Sequence, residues 1–131
     1  MRLLMLAAVS ALAMAGAADA RPGQSGEAEL ARMLQGRVAG QPMACIRTWP
    51  SENVTTIDRT ALVFGRGDTI YVNRTRFPES IDDNDALVIR KFGTGTSLCR
   101  TDLITTFDRT SQFYSGNVYL ADFVPYKRIR R

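Results

Sequence analysis

The chain has 131 residues, 17 of them lysine or arginine and 13 aspartate or glutamate, with no histidine and a formal net charge of +4. Without histidine there is no Ser-His or Cys-His nucleophile pair and no common zinc site. Two cysteines, Cys45 and Cys99, are too few to hold a metal by themselves, so no cofactor or metal is expected.

In chain order the first element is an export signal. Arg2 precedes an apolar run over residues 3–14, and Ala18-Asp19-Ala20 places small residues where a signal peptidase cuts, so cleavage is expected after Ala20. The run is shorter than the roughly 20 residues a bilayer-spanning helix needs. The expectation is therefore a periplasmic or secreted protein with no transmembrane anchor after cleavage, the size of one modest domain.

Residues 21–26 (Arg, Pro, Gly, Gln, Ser, Gly) read as a flexible N-terminus. Ser25 then stands ahead of a run at 27–34 that opens on Glu27 and Glu29 and is closed by Gly36, the order of a short helix. Leu30, Met33 and Leu34 fall at i, i+3 and i+4, a stripe that packs one face onto the body.

Beyond Gly40-Gln41-Pro42 the pattern changes to short apolar runs rich in β-branched and aromatic residues, separated by turn residues. Strands are expected at 43–47, 55–57, 61–64, 69–73, 86–92, 97–101, 103–107, 112–114 and 118–123. The clearest pair, 61–64 and 69–72, is joined by Gly65-Arg66-Gly67-Asp68, a hairpin connection. The fold class that follows is mainly β, a small barrel or two-layer sandwich over 27–126 with one short N-terminal helix. An even cysteine count in an exported domain implies a Cys45–Cys99 disulfide, for which loop entropy gives about 4 kcal/mol.

One internal echo stands out. Thr55-Thr56-Ile57-Asp58-Arg59-Thr60 recurs 50 residues on as Thr105-Thr106-Phe107-Asp108-Arg109-Thr110, each copy following a cysteine. Either the chain holds two similar cysteine-strand-turn-strand units, or two hairpins reached one polar turn sequence independently.

Other motifs are weaker. Arg66-Gly67-Asp68 spells an adhesion tripeptide, yet Gly and Asp are what a hairpin turn requires. Asp82-Asp83-Asn84-Asp85 lacks the ligand spacing of a calcium loop and reads as solvated surface. Asn53-Val54-Thr55 and Asn73-Arg74-Thr75 match the glycosylation acceptor pattern by accident. Asp58, Asp102 and Asp108 are the acidic residues embedded among strands, and so the candidates for a carboxylate pair of the glycosidase kind. Lys127, Arg128, Arg130 and Arg131 carry the net charge, since the rest of the processed chain is balanced. Residues 127–131 read as a basic tail able to touch an anionic envelope surface, weakly and in a salt-sensitive way. Export makes nucleic acid the least favoured partner.

Four segments, Cys45-Ile46, 57–63, 69–73 and Gly95-Thr96-Ser97-Leu98-Cys99-Arg100-Thr101-Asp102, resemble a class of small exported proteins of Gram-negative bacteria that form a domain of unknown function. The resemblance implies a periplasmic, disulfide-closed β domain and carries no activity. Members of that class are often lipid-anchored, and this chain lacks the cysteine for an anchor. The functional expectation is a non-catalytic binding or structural module of the bacterial cell envelope, meeting an envelope protein or an anionic envelope surface. A small carboxylate-dependent hydrolase competes with it, as does a proteinaceous inhibitor presenting a loop at 74–85.

Overall fold

The computed structural model describes residues 24–47, 49, 53–92 and 95–130, together with Gly16. Apart from Gly16, the signal segment 1–20 lies outside the described residues, as do 21–23 and Arg131. The described chain runs α1 (Gln24–Met33), β1 (Arg37–Ala39), β2 (Cys45–Arg47), β3 (Val54–Ile57), β4 (Ala61–Phe64), β5 (Thr69–Asn73), a 3-10 turn (Pro78–Ser80), β6 (Asp85–Arg90), β7 (Ser97–Cys99), β8 (Leu103–Asp108), β9 (Tyr114–Tyr119) and β10 (Val124–Arg128).

The strands form a five-stranded sheet in the order β1-β10-β5-β4-β3, a two-stranded ribbon β2-β7 and a three-stranded sheet β6-β8-β9, all antiparallel. None closes into a barrel, so the sandwich alternative is the one realised. The core has two parts, one on each side of the five-stranded sheet. Leu62 and Phe64 on one face of β4 pack with Ile46, Leu98, Ile104, Val118 and Phe123. Ala61 and Val63 on its other face pack with Leu30 of α1, Ile57, Ile70 and Val72. A strand covered on both faces has to be apolar at every position, and all four residues of β4 are buried. Among the described residues no helix is long and apolar enough to cross a membrane.

The helix stripe behaves as expected: Leu30 is fully buried and Met33 and Leu34 pack beside it, with Gly36 closing the run at φ 71°. Its start does not. The helix begins at Gln24, so Ser25 and Gly26 belong to it and the stretch read as a tether is helical from 24 onward. The reason lies at Gly26, whose bare Cα faces the β3–β4 turn: a Cβ there would collide with Thr60 Oγ1 and lie 2.7 Å from the Asp58 carbonyl oxygen. Gly26 permits that close approach, and the Arg74–Glu27 ion pair (2.6 Å) reinforces it from the far end of β5.

The C-terminal expectations need a second correction. Residues 112–113 belong to a turn, β9 continues unbroken to Tyr119, and the chain re-enters the five-stranded sheet as β10. Pro125 and the following charges concealed β10 in the sequence. The strand tolerates Pro125 because the edge strand β1 has ended opposite it, so Pro125 need only accept, through its carbonyl, the N–H of Gly40 (2.7 Å). Lys127 and Arg128 are thus strand residues paired with β1, so the first half of the basic tail lies inside the sheet, one strand in from its edge.

The two copies of the echo both leave a strand for a turn, and then diverge. The first closes tightly, Ile57 pairing with Ala61 around Arg59 in the left-handed region (φ 51°). The second is wider: Asp108 Oδ1 accepts the N–H groups of Thr110 and Ser111, and pairing resumes at Phe107 with Tyr114. Phe64 therefore ends up buried and Tyr114 exposed, although the sequence echo aligns them.

Two stability outcomes follow. Cys45 and Cys99 sit directly opposite on β2 and β7, joined across a sequence separation of 54. Replacing both with serine should cost about 4 kcal/mol in urea unfolding, and a loss under about 1 kcal/mol would show that the closed loop does not matter. Gly26→Ala should gain about 1 kcal/mol from helix propensity but lose about 1–3 to the forced shift at Thr60 and Asp58, so the melting temperature should fall. A rise would mean that α1 docks less closely than described.

Candidate functional site

The sheet β6-β8-β9 turns one face to the core, and among the described residues nothing but Phe77 packs on the other. Register fixes which residues share the outer face: a row of Ala86, Phe107 and Tyr114, a row of Val88, Thr105 and Asn117, and a row of Arg90, Leu103 and Tyr119. None of the nine is buried, and Tyr114, Tyr119 and Val88 are 59%, 48% and 44% exposed. Phe107 and Tyr114 meet edge to face at one end, and Phe77 meets Tyr119 in the same way at the other, with ring centroids 6.2 Å apart in each pair. With a strand rise of about 3.4 Å per residue, the two outer rows lie roughly 14 Å apart.

Phe77 is aimed by its loop. Thr75 sits at φ 57°, where a β-branched residue is strained, and is 7% exposed with its Oγ1 lacking a hydrogen-bond partner among the described atoms. Two anchors hold it. Asn73, wholly buried, accepts the N–H groups of Thr75 and Ala121 and donates to the Ala121 carbonyl (2.9, 3.0 and 2.8 Å). Arg76 N–H donates to the Tyr119 carbonyl (2.8 Å), fastening the loop along the free edge of β9 and setting Phe77 against Tyr119. The same bonds bury the second sequon in the fold and leave no acceptor nitrogen in solvent at Asn73.

The three candidate carboxylates do not form a site together. Asp102 and Asp108 flank β8 at opposite ends, roughly 20 Å apart by strand rise, against the roughly 5–9.5 Å of a glycosidase pair. Asp102 is buried and spends both oxygens on backbone, accepting Phe92 N–H and Cys99 N–H at 2.7 Å each. It clamps the β6–β7 connection beside the disulfide. Asp108 is held below the usual carboxylate range by the N–H groups of Ser111 and Thr110. Asp58 lies with Asp82 and Asp83 in an exposed acidic group at the β3–β4 turn. The stretch 74–85 is held to the body by buried Thr75, Ile81 and Asp85.

At the opposite corner of the five-stranded sheet the structure gathers the basic residues. Arg37 pairs with Arg128 and Val38 with Lys127 across β1 and β10. The Arg37 guanidinium donates to the carbonyls of Gly67 and Asp68 (2.9 and 3.0 Å), and Arg130 pairs with Asp68 (2.7 Å). The Arg66-Gly67-Asp68 turn is thus the dock for this edge. Partial burial and the charge of Arg128 push Arg37 below its usual range, and the hydrogen bond from Arg130 holds Asp68 below its own. Lowered values at Asp68 and Asp108 mean stability present above about pH 4 and lost as pH falls through those values.

Fold and surface together define a disulfide-closed β sandwich that presents an uncovered aromatic sheet face. No protein-family model, curated protein or solved structure matches the chain.

The role of Asp102 is open to a direct check. Asp102→Ala leaves two N–H groups without acceptors and should cost about 2–4 kcal/mol in urea unfolding. A variant as stable as the parent would return Asp102 to the list of residues available for chemistry.

Proposed function

We propose that the chain is an exported, non-catalytic binding module of the bacterial cell envelope, and that it engages an envelope protein through the outer face of β6-β8-β9. The observation that carries this reading is the pair of aromatic contacts on an uncovered sheet, Phe107–Tyr114 and Phe77–Tyr119. Aromatic side chains provide large contact area at small entropic cost and concentrate at the centres of protein interfaces. Here their rings are already fixed by neighbours and, at Phe77, by a strained loop. Asn117, Thr105 and Arg90 supply polar groups between and beside them.

The export part of the reading rests on three supports. The N-terminal segment has the signal pattern. The Cys45–Cys99 disulfide suits an oxidising compartment such as the periplasm or the medium. The resemblance to small exported proteins of Gram-negative bacteria points the same way.

The test is site-specific crosslinking in cells. A photoreactive benzoyl-phenylalanine placed at Val88 should give a discrete covalent adduct with an envelope protein, and the same group at exposed Arg109, in the β8–β9 turn, should not. Tyr114→Ser with Tyr119→Ser should abolish the adduct while changing the melting temperature little, both residues being exposed. Absence of an adduct at Val88, or an adduct indifferent to the tyrosine changes, counts against this face.

A further inference from the structure

Among the described residues, the corner formed by β1 and β10 has an uncovered face of its own. Alternation along the two strands puts Val38, Lys127 and Thr69 in one row, with Gly40 and Pro125 beyond it and Ile129 on the other side. These residues line a largely apolar groove of about 460 Å³, and Val38 and Ile129 are 57% and 59% exposed. Across the strand edge lies a second, polar hollow of about 400 Å³ that shares Arg128 and Ile129 with the groove and adds Arg32, Gln35 and Arg37. Among the described residues no carboxylate pairs with Arg32, Lys127 or Arg128.

We propose that this corner docks on the anionic lipid surface of a bilayer, Lys127, Arg128 and Arg32 meeting headgroup phosphates while Val38 and Ile129 enter the apolar boundary. Charge complementarity selects the occupant. Arg37 directly opposite Arg128 concentrates like charge across the two strands, and with Arg37 turned onto the Gly67 and Asp68 carbonyls the Arg128 side chain is left to meet an external anion. A second copy of the chain would bring the same cations together and is repelled. A soluble polyanion would satisfy the cations but leave Val38 and Ile129 in water. An anionic bilayer satisfies both sets, as amphipathic membrane-surface elements do. The acidic group Asp58, Asp82 and Asp83 sits at the diagonally opposite corner, beyond the other end of β4 and at the far edge of the sheet, so the long-range field turns the basic corner toward the membrane.

The test uses protein purified from the exported fraction of expressing cells, oxidised, and sedimented with vesicles. Binding to vesicles of phosphatidylglycerol and phosphatidylcholine in equal parts should exceed binding to pure phosphatidylcholine and weaken in high salt. Each of Lys127→Gln and Arg128→Gln should reduce it about fivefold, and the double variant roughly 25-fold. Val38→Ser with Ile129→Ser should reduce it about tenfold with the charge unchanged. Arg109→Gln, the same charge change elsewhere, should leave it within about twofold, as should Tyr114→Ser with Tyr119→Ser, which separates this result from the fate of the aromatic face. Thermal unfolding of every variant confirms that these exposed positions leave the fold intact. Equal binding to both kinds of vesicle overturns the proposal. So does indifference to Val38→Ser with Ile129→Ser, or tighter binding to soluble polygalacturonate than to the anionic vesicles.

Discussion

Everything in this fold is arranged around β4, a strand that must be hidden on both faces. Ala61, Leu62, Val63 and Phe64 leave no polar position along it, so one layer cannot suffice. The helix covers Ala61 and Val63, and the ribbon β2-β7 with the sheet β6-β8-β9 covers Leu62 and Phe64. At about 25 cal/mol per Å² of apolar surface, each large side chain buried here is worth about 1.5–3 kcal/mol, far more than an exposed ion pair such as Arg74–Glu27. That ranking explains why Gly26 sits where it does. Docking α1 closely over β4 matters more than the helix propensity that alanine would add.

Covering Phe64 requires joining segments far apart in sequence, and the disulfide does this at the crossing of the two halves. Cys45 and Cys99 hold β2 to β7, placing Ile46 and Leu98 over the core. Asp102 completes the junction by accepting from Cys99 and Phe92, so the covalent link and the polar clamp share a residue. A carboxylate embedded among strands, read from sequence as available for catalysis, is in this place a substitute for missing backbone partners. Asn73 does the same for Ala121 and Thr75, where sequence showed a glycosylation pattern. Buried polar side chains in a small sandwich serve first to satisfy backbone at irregular crossings.

The strands with a strong local pattern were legible: 69–73 matches β5 to the residue, 61–64 matches β4, and the hairpin between them forms. The disulfide was legible from the even cysteine count together with the signal-like N-terminal pattern. The edge elements β1 and β10 were not, because Arg37-Val38-Ala39 is too short to show alternation and Pro125 with Lys127 and Arg128 resembles a terminus. The aromatic face was hidden for a different reason. Residues 86–89 are apolar at both parities, so the strand pattern alone does not say which face is covered, and only Leu87 and Ile89 face the core. Nothing in a single sequence distinguishes a covered apolar face from an uncovered one. Phe77 and Tyr119 lie 42 residues apart and meet only through the left-handed turn at Thr75.

The basic corner shows how a weak motif can carry structural meaning. Placing Arg37 opposite Arg128 on adjacent strands is electrostatically unfavourable, and the pair persists because Arg37 is turned onto the carbonyls of Gly67 and Asp68 while the Asp68 carboxylate takes Arg130. Arg128 N–H donates to the Asp68 carbonyl as well, so one turn residue receives three arginines. The tripeptide Arg66-Gly67-Asp68 therefore faces inward in function: its glycine, at φ 87°, shapes a turn whose carbonyls serve as ligands for guanidinium, and its aspartate neutralises a cation of the same molecule. An adhesion loop needs its aspartate free for a partner, whereas here that carboxylate is already engaged. With Asp68 neutralising Arg130 and Arg37 turned onto carbonyls, Lys127 and Arg128 are the charged residues that border the apolar groove.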